Sequence, residues 1–159
     1  MNKKDFQRSM VINGRVLDYH CLGMAKVENY QLAYNAYSTY RNGGVLDIEK
    51  CNGKQVIGVL YELTSEALMA IDKREGSKYK RIFIDVCIAN KMVKAYTYVI
   101  KEKVTTKANV EYSGIVYHAM LEHKFPKAYI DDFVKIVRVS IYGSEENYFK
   151  YKTEKLKGA

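Results

Sequence analysis

Glu75 stands directly before Gly76 in the stretch TSEALMAIDKREGSKYKR, residues 64–81, with Lys73, Arg74, Lys78 and Arg81 around it. Glycine marks a helix stop, so the spacing puts this acid at a helix C-terminus, where the helix dipole disfavours negative charge by about 0.3–1 kcal/mol. Partial burial under an adjoining strand would add to that, and both effects raise a carboxyl pKa toward the range where it can move protons at neutral pH. The surrounding cations oppose the shift. A solvated glutamate paired with Lys or Arg therefore stays open as the plain alternative.

The other reactive side chains form no recognisable constellation. His118 and His123 lie five residues apart, about 140° round a helix, which is too far for a shared metal. His20 and Cys21 are strand neighbours and point to opposite faces. Cys21, Cys51 and Cys87 are odd in number and widely spaced, which suggests neither a disulfide framework nor a zinc knuckle. No nucleophile elbow, phosphate-cradling glycine loop or H-E-x-x-H motif is present. Acid–base catalysis by one carboxylate is the chemistry that is left.

The elements that must position Glu75 are legible around it. Thr64 is placed to cap a helix over 65–75, with Glu66 in its first turn and Leu68, Ile71 and Asp72 at helical spacing. Strands are expected near 16–22 and 30–36, and a hairpin near 45–50 and 55–63 turning at NGK, residues 52–54. RNGG at 41–44 is a further turn. RIFIDVCIA alternates Ile82, Ile84, Val86 and Ile88 against Phe83, Asp85 and Cys87, and a second strand follows at 94–100. Residues 2–10 read as a short helix with Phe6 and Met10 on one face. Residues 111–123 and 126–136 read as two more, the second opened by Pro126. The run IVRVSIYG looks strand-like and precedes a charged tail. The expected fold is α+β, a small mixed or antiparallel β-barrel with a central helix and flanking C-terminal helices. The expected division is a domain over 1–137 and an extension over 138–159.

At 159 residues the chain is long enough for one domain with a substantial core. NKKDFQ after Met1 lacks the apolar run of a leader, and no segment is long and apolar enough to span a membrane, so the expected compartment is the cytoplasm. The net charge of +8 raises nucleic acid as a partner, but residues 1–60, 61–110 and 111–159 contribute +3, +4 and +1. Charge spread in this way forms no stripe for counterion release, which argues against that partner.

The order GGVLDIEKCNGKQVIGVLYELTSEALMAIDKREGSKYKRIFIDV, followed by KAYTYV, resembles the core of the gamma-glutamylcyclotransferase-like family. The resemblance runs through Gly43 and Gly44; Gly58, Val59, Leu60, Tyr61 and Leu63; Ile71, Asp72, Glu75 and Gly76; Tyr79 and Arg81; and Tyr96, Tyr98 and Val99. With AKVENYQLAYN upstream and EYSGIVYHAMLEHKFPKAYIDDF downstream, it covers roughly residues 2–136. It implies an enzyme, an acyltransferase or lyase, that uses no cofactor and no metal. The reaction would release 5-oxoproline and a free amine from a small gamma-glutamyl amine or amino acid, with Glu75 as general acid/base. Tyr79, Gly43 and Gly44 are the implied substrate-binding residues.

The same resemblance implies a first strand and a Y-G-S-N loop that receives the substrate and supplies oxyanion donors. The sequence shows neither ahead of its first helix. Three explanations are open: the natural chain starts upstream of Met1; the fold is kept without the activity, as a ligand-binding or protein-interaction member; or VRVSIYGSEEN replaces the strand, bringing Tyr142, Gly143 and Ser144 to Glu75. A missing strand would also leave a sheet edge through which copies of the chain could associate.

Overall fold

The computed structural model describes residues 3–157. A short helix α1 (Lys3–Ser9) is followed by a two-stranded ribbon of β1 (Val11–Ile12) and β2 (Arg15–Val16). Two long strands, β3 (Tyr19–Ser38) and β4 (Gly43–Leu63), then form a bent antiparallel hairpin. Helix α2 (Ser65–Glu75) leads into a second hairpin of β5 (Tyr79–Ile88) and β6 (Lys91–Ile100). Three helices finish the described chain: α3 (Val110–Glu122), α4 (Lys127–Tyr142) and α5 (Glu145–Lys157).

The larger sheet has the order β4-β3-β5-β6. Its two hairpins meet through one register pair, Lys26 with Cys87. The result is an α+β fold with a curled, barrel-like sheet whose outer strands, β4 and β6, have no strand pairing to each other among the described residues. Among those residues no helix is long and apolar enough to cross a membrane.

Local chemistry explains most elements. Thr64 accepts a hydrogen bond from the Ala67 N–H (3.2 Å), and Gly76, at φ +72°, donates to the Asp72 carbonyl (3.1 Å), so α2 begins and ends as expected. Inward aliphatic residues of β5 alternate with outward ones, Val86 being buried beside Ala25 and Val27. Met10 at 0% exposure and Phe133 at 2% anchor separate packing clusters, one under α1 and α2, the other between α3 and α4.

Three expectations are corrected. The strands expected near 16–22 and 30–36 are joined in the single strand β3, apart from Val16 in the ribbon and the connecting Leu17 and Asp18. NGK is a bulge inside β4 and not a hairpin turn. Gly53 takes the positive φ its sequence promises, but its N–H donates to the Asn29 side chain (3.1 Å) while β3 pairs with β4 on both sides. The hairpin turn is residues 39–42, which take in Arg41 and Asn42 of RNGG, while Gly43 and Gly44 open β4. The strand-like run at 136–143 is the last part of α4, continued by a further helix where a strand-like extension was expected. Its β-branched residues are held helical by packing: Val137 joins the Phe133 cluster and Ser140 accepts the Ala108 N–H (2.8 Å). Left-handed Gly143 then closes the helix onto the Val139 carbonyl.

Candidate active site

Glu75 is the last residue of α2, and its neighbours in the helix fix where it sits. One turn earlier, Asp72 accepts hydrogen bonds from the Tyr98 hydroxyl (2.6 Å, from β6) and from Arg81 (2.7 Å, from β5). Arg81 in turn lies over the Tyr96 ring at 4.5 Å. Arg74 donates to the Ser9 hydroxyl, tying the same turn to α1, whose Phe6 stacks on Tyr61 at 3.8 Å. The acid is therefore carried on a turn clamped between two strands and a helix.

Glu75 is half-buried on the wall of a cavity of about 700 Å³. That wall includes the unbroken runs 57–63 of β4 and 93–98 of β6. Successive strand residues point to opposite faces, so consecutive lining residues mean that both strands meet the cavity edge-on. The cavity is the cleft between the two outer edges of the curled sheet, floored by α2 and by Met120 and His123 of the α3 end. Burial pushes the Glu75 carboxyl above the usual carboxylate range, against the opposing charge of Arg74.

The other expected site residues are distributed unevenly. Tyr79 opens β5; burial raises its phenol, and the charges of Glu75 and then Asp47 add to the effect. Gly43 and Gly44 contact the segment before α3. A Cβ on Gly44 would fall 2.4 Å from the Lys107 carbonyl oxygen, and one on Gly43 would fall 3.0 Å from Asn109. Close chain passage thus accounts for the glycine pair, of which Gly44 joins Ala108 by a parallel bridge. Tyr142, Gly143 and Ser144 form the end of α4 and the cap of α5, where Asn147 binds the Tyr142 carbonyl and the Ser144 hydroxyl; none of them lines the cavity. Their expected approach to Glu75 assumed a strand that the helix replaces.

Sequence reading passed over two groups. His123, read as structural or exposed, caps α3 at the cavity wall. Asp47 is 5% exposed, and the main-chain N–H groups of Ile48 and Ile100 face its carboxylate without a fully formed hydrogen bond. Its alternation with Val45, two residues earlier and also buried, was the available signal. All three cysteines are free thiols, and no group of metal-binding side chains occurs among the described residues.

Residues 55–133, the span that contains the Glu75 motif, match the AIG2-like family. The chain is a gamma-glutamylcyclotransferase-like protein of that family. Solved structures agree on the fold. A gamma-glutamyl cyclotransferase superposes with TM-score 0.68 at 19% identity, over 72% of this chain and 73% of that one. The uncharacterized human protein loc79017 gives 0.67 at 20% identity, over 72% and 73%. YkqA from Bacillus subtilis gives 0.68 at 18%, over 76% of this chain and 45% of its own. No curated protein sequence matches the chain.

Proposed function

We propose that this protein is a gamma-glutamyl cyclotransferase-type enzyme in which Glu75 is the general acid/base. The observation that carries the reading is a half-buried glutamate with a raised pKa, on a clamped helix end, at the wall of a cavity in this fold. The substrate's α-ammonium loses a proton to Glu75, and the freed amine attacks its own γ-carbonyl. The carbonyl oxygen takes up negative charge in the tetrahedral intermediate. Outward main-chain N–H groups of the β4 and β6 edges are the available oxyanion donors. Glu75 then returns the proton to the leaving nitrogen as its bond to carbon breaks, giving 5-oxoproline and a free amine. The nucleophile belongs to the substrate, so holding it folded against the γ-carbonyl is a large part of the catalysis.

A second reading, a ligand-binding member of the fold without turnover, is favoured by the position of the Y-G-S segment away from the cavity. The two are separated by assaying 5-oxoproline release from a panel of gamma-glutamyl amines and amino acids. Glu75→Gln is expected to lower turnover at least a hundredfold with the fold intact. Equal turnover in that variant removes Glu75 from the chemistry, and no release from any member of the panel favours the second reading.

A further inference from the structure

The cavity beside Glu75 has room for more than a γ-glutamyl head group, and its walls show what the rest of a ligand would meet. At about 700 Å³ it is in the range that takes a whole drug-sized molecule. Two helices each present one face to it: Leu68, Ile71 and Glu75 of α2 lie at helical spacing, and so do Val116, Ala119, Met120 and His123 of α3. On the α2 side, which carries the acid, the wall is formed by the Phe6 and Ile71 cluster with Tyr61 and Tyr98. On the α3 side it is formed by Leu32, Leu46, Val116 and Phe125, packed with Met120 on Phe133.

Charge limits what that ligand can carry. Among the described residues Lys94 is the one lysine or arginine in the lining, and it is paired in solvent with Asp85 (3.2 Å). Glu62 and Glu75 are the acids of the lining, and His123 already has an interaction of its own within the protein. A carboxylate laid along the α3 side would therefore enter an apolar wall with no uncommitted lysine or arginine among the described residues to meet it. Burial in such a place is costly.

The reaction fixes which part of the ligand goes there. Glu75 has to reach both the α-ammonium and the leaving nitrogen, so the glutamyl head stays at the acid and the substituent on that nitrogen extends into the remaining space. We propose that the substrate is the γ-glutamyl amide of an apolar amine, aliphatic or arylalkyl and without a carboxylate, whose tail packs on the Leu32, Leu46, Val116, Met120 and Phe125 wall. The proposal rests on the cyclotransferase reading and names its substrate class. As the ring closes, the bond between the γ-carbon and that amine breaks, and the nitrogen leaves with the proton that Glu75 returns. The tail contributes binding in proportion to the apolar area it takes out of water. γ-Glutamyl amino acids, which carry a carboxylate on the carbon next to the leaving nitrogen, are the substrates that this wall selects against.

Three compounds test this in the full chain. γ-L-Glutamyl-pentylamide and γ-L-glutamyl-L-norleucine have the same chain and differ by that one carboxylate, and γ-L-glutamyl-methylamide lacks the chain. In kcat/KM for 5-oxoproline release, the pentylamide is expected to exceed each of the other two at least tenfold. Val116→Phe, which fills part of the α3 side, should lower the pentylamide-to-methylamide ratio at least threefold, a ratio that loss of folded protein does not change. Equal turnover of the norleucine compound or of the methylamide overturns the proposal. Binding is read separately with N-pentylglutaramate and N-methylglutaramate, which lack the α-amine and cannot cyclise. The first should shift the methyl NMR signals of Leu46, Val116 and Met120 saturably, and the second should leave them unmoved. That shift in a protein that releases 5-oxoproline from none of the three compounds leaves the apolar-tail site standing and removes the cyclotransferase reading. Unmoved methyl signals with the pentyl probe overturn the site itself.

Discussion

Glu75 and Asp47 are both harder to ionise in the folded chain than in the unfolded one, because burial removes water from their carboxylates. For an acid whose folded pKa is raised, the stabilising effect is present below the unfolded carboxylate range and is lost as pH rises through the folded pKa. Glu75→Gln removes that loss. Urea midpoints taken at acid and neutral pH are expected to converge with wild type in acid, where both side chains are neutral. At neutral pH the variant should be the more stable, and a gap independent of pH would show that Glu75 is solvated after all. The acid's position was readable from a helix stop and a cap. Its burial was not, since charge neighbours in sequence say nothing about which strand covers a side chain.

At the scale of elements, the clamp on Asp72 ties α2 to β5 and β6. Tyr98→Phe keeps the ring and deletes the hydroxyl that donates to Asp72. Hydrogen bonds to charged groups contribute about 1.5–3 kcal/mol, and the part exposure of Asp72 reduces this to about 1 kcal/mol of stability, measurable by urea unfolding. If the enzyme reading holds, turnover should fall more than that stability loss explains, because the helix end carrying Glu75 is freed. An unchanged unfolding midpoint would remove the clamp. The same scale shows why NGK and IVRVSIYG misled. Gly53 takes the backbone conformation a turn would use, but Asn29 and continuous β3 pairing absorb it as a bulge. The β-branched run at the end of α4 is helical because its faces are filled by the Phe133 cluster and by the Ala108–Ser140 bond.

For the whole molecule, two outer strands, β4 and β6, each with one edge unpaired among the described residues, flank the cavity that holds Glu75. Unpaired edges are templates for another strand, so self-association that grows with concentration is the expected outcome in light scattering. A constant monomer mass across the range would show that the edges are protected. By itself, the sequence determined the α+β class, the limits of α2, the aliphatic face of β5 and the choice of Glu75 as the acid to watch, since caps, glycine stops and alternation act over a few residues. Only the tertiary structure decided that β3 and β4 are continuous, that the described chain closes with helices, that the glycine pair serves a close chain crossing, and that Asp47 is buried. Each of these depends on contacts between residues tens of positions apart, where packing outweighs local preference.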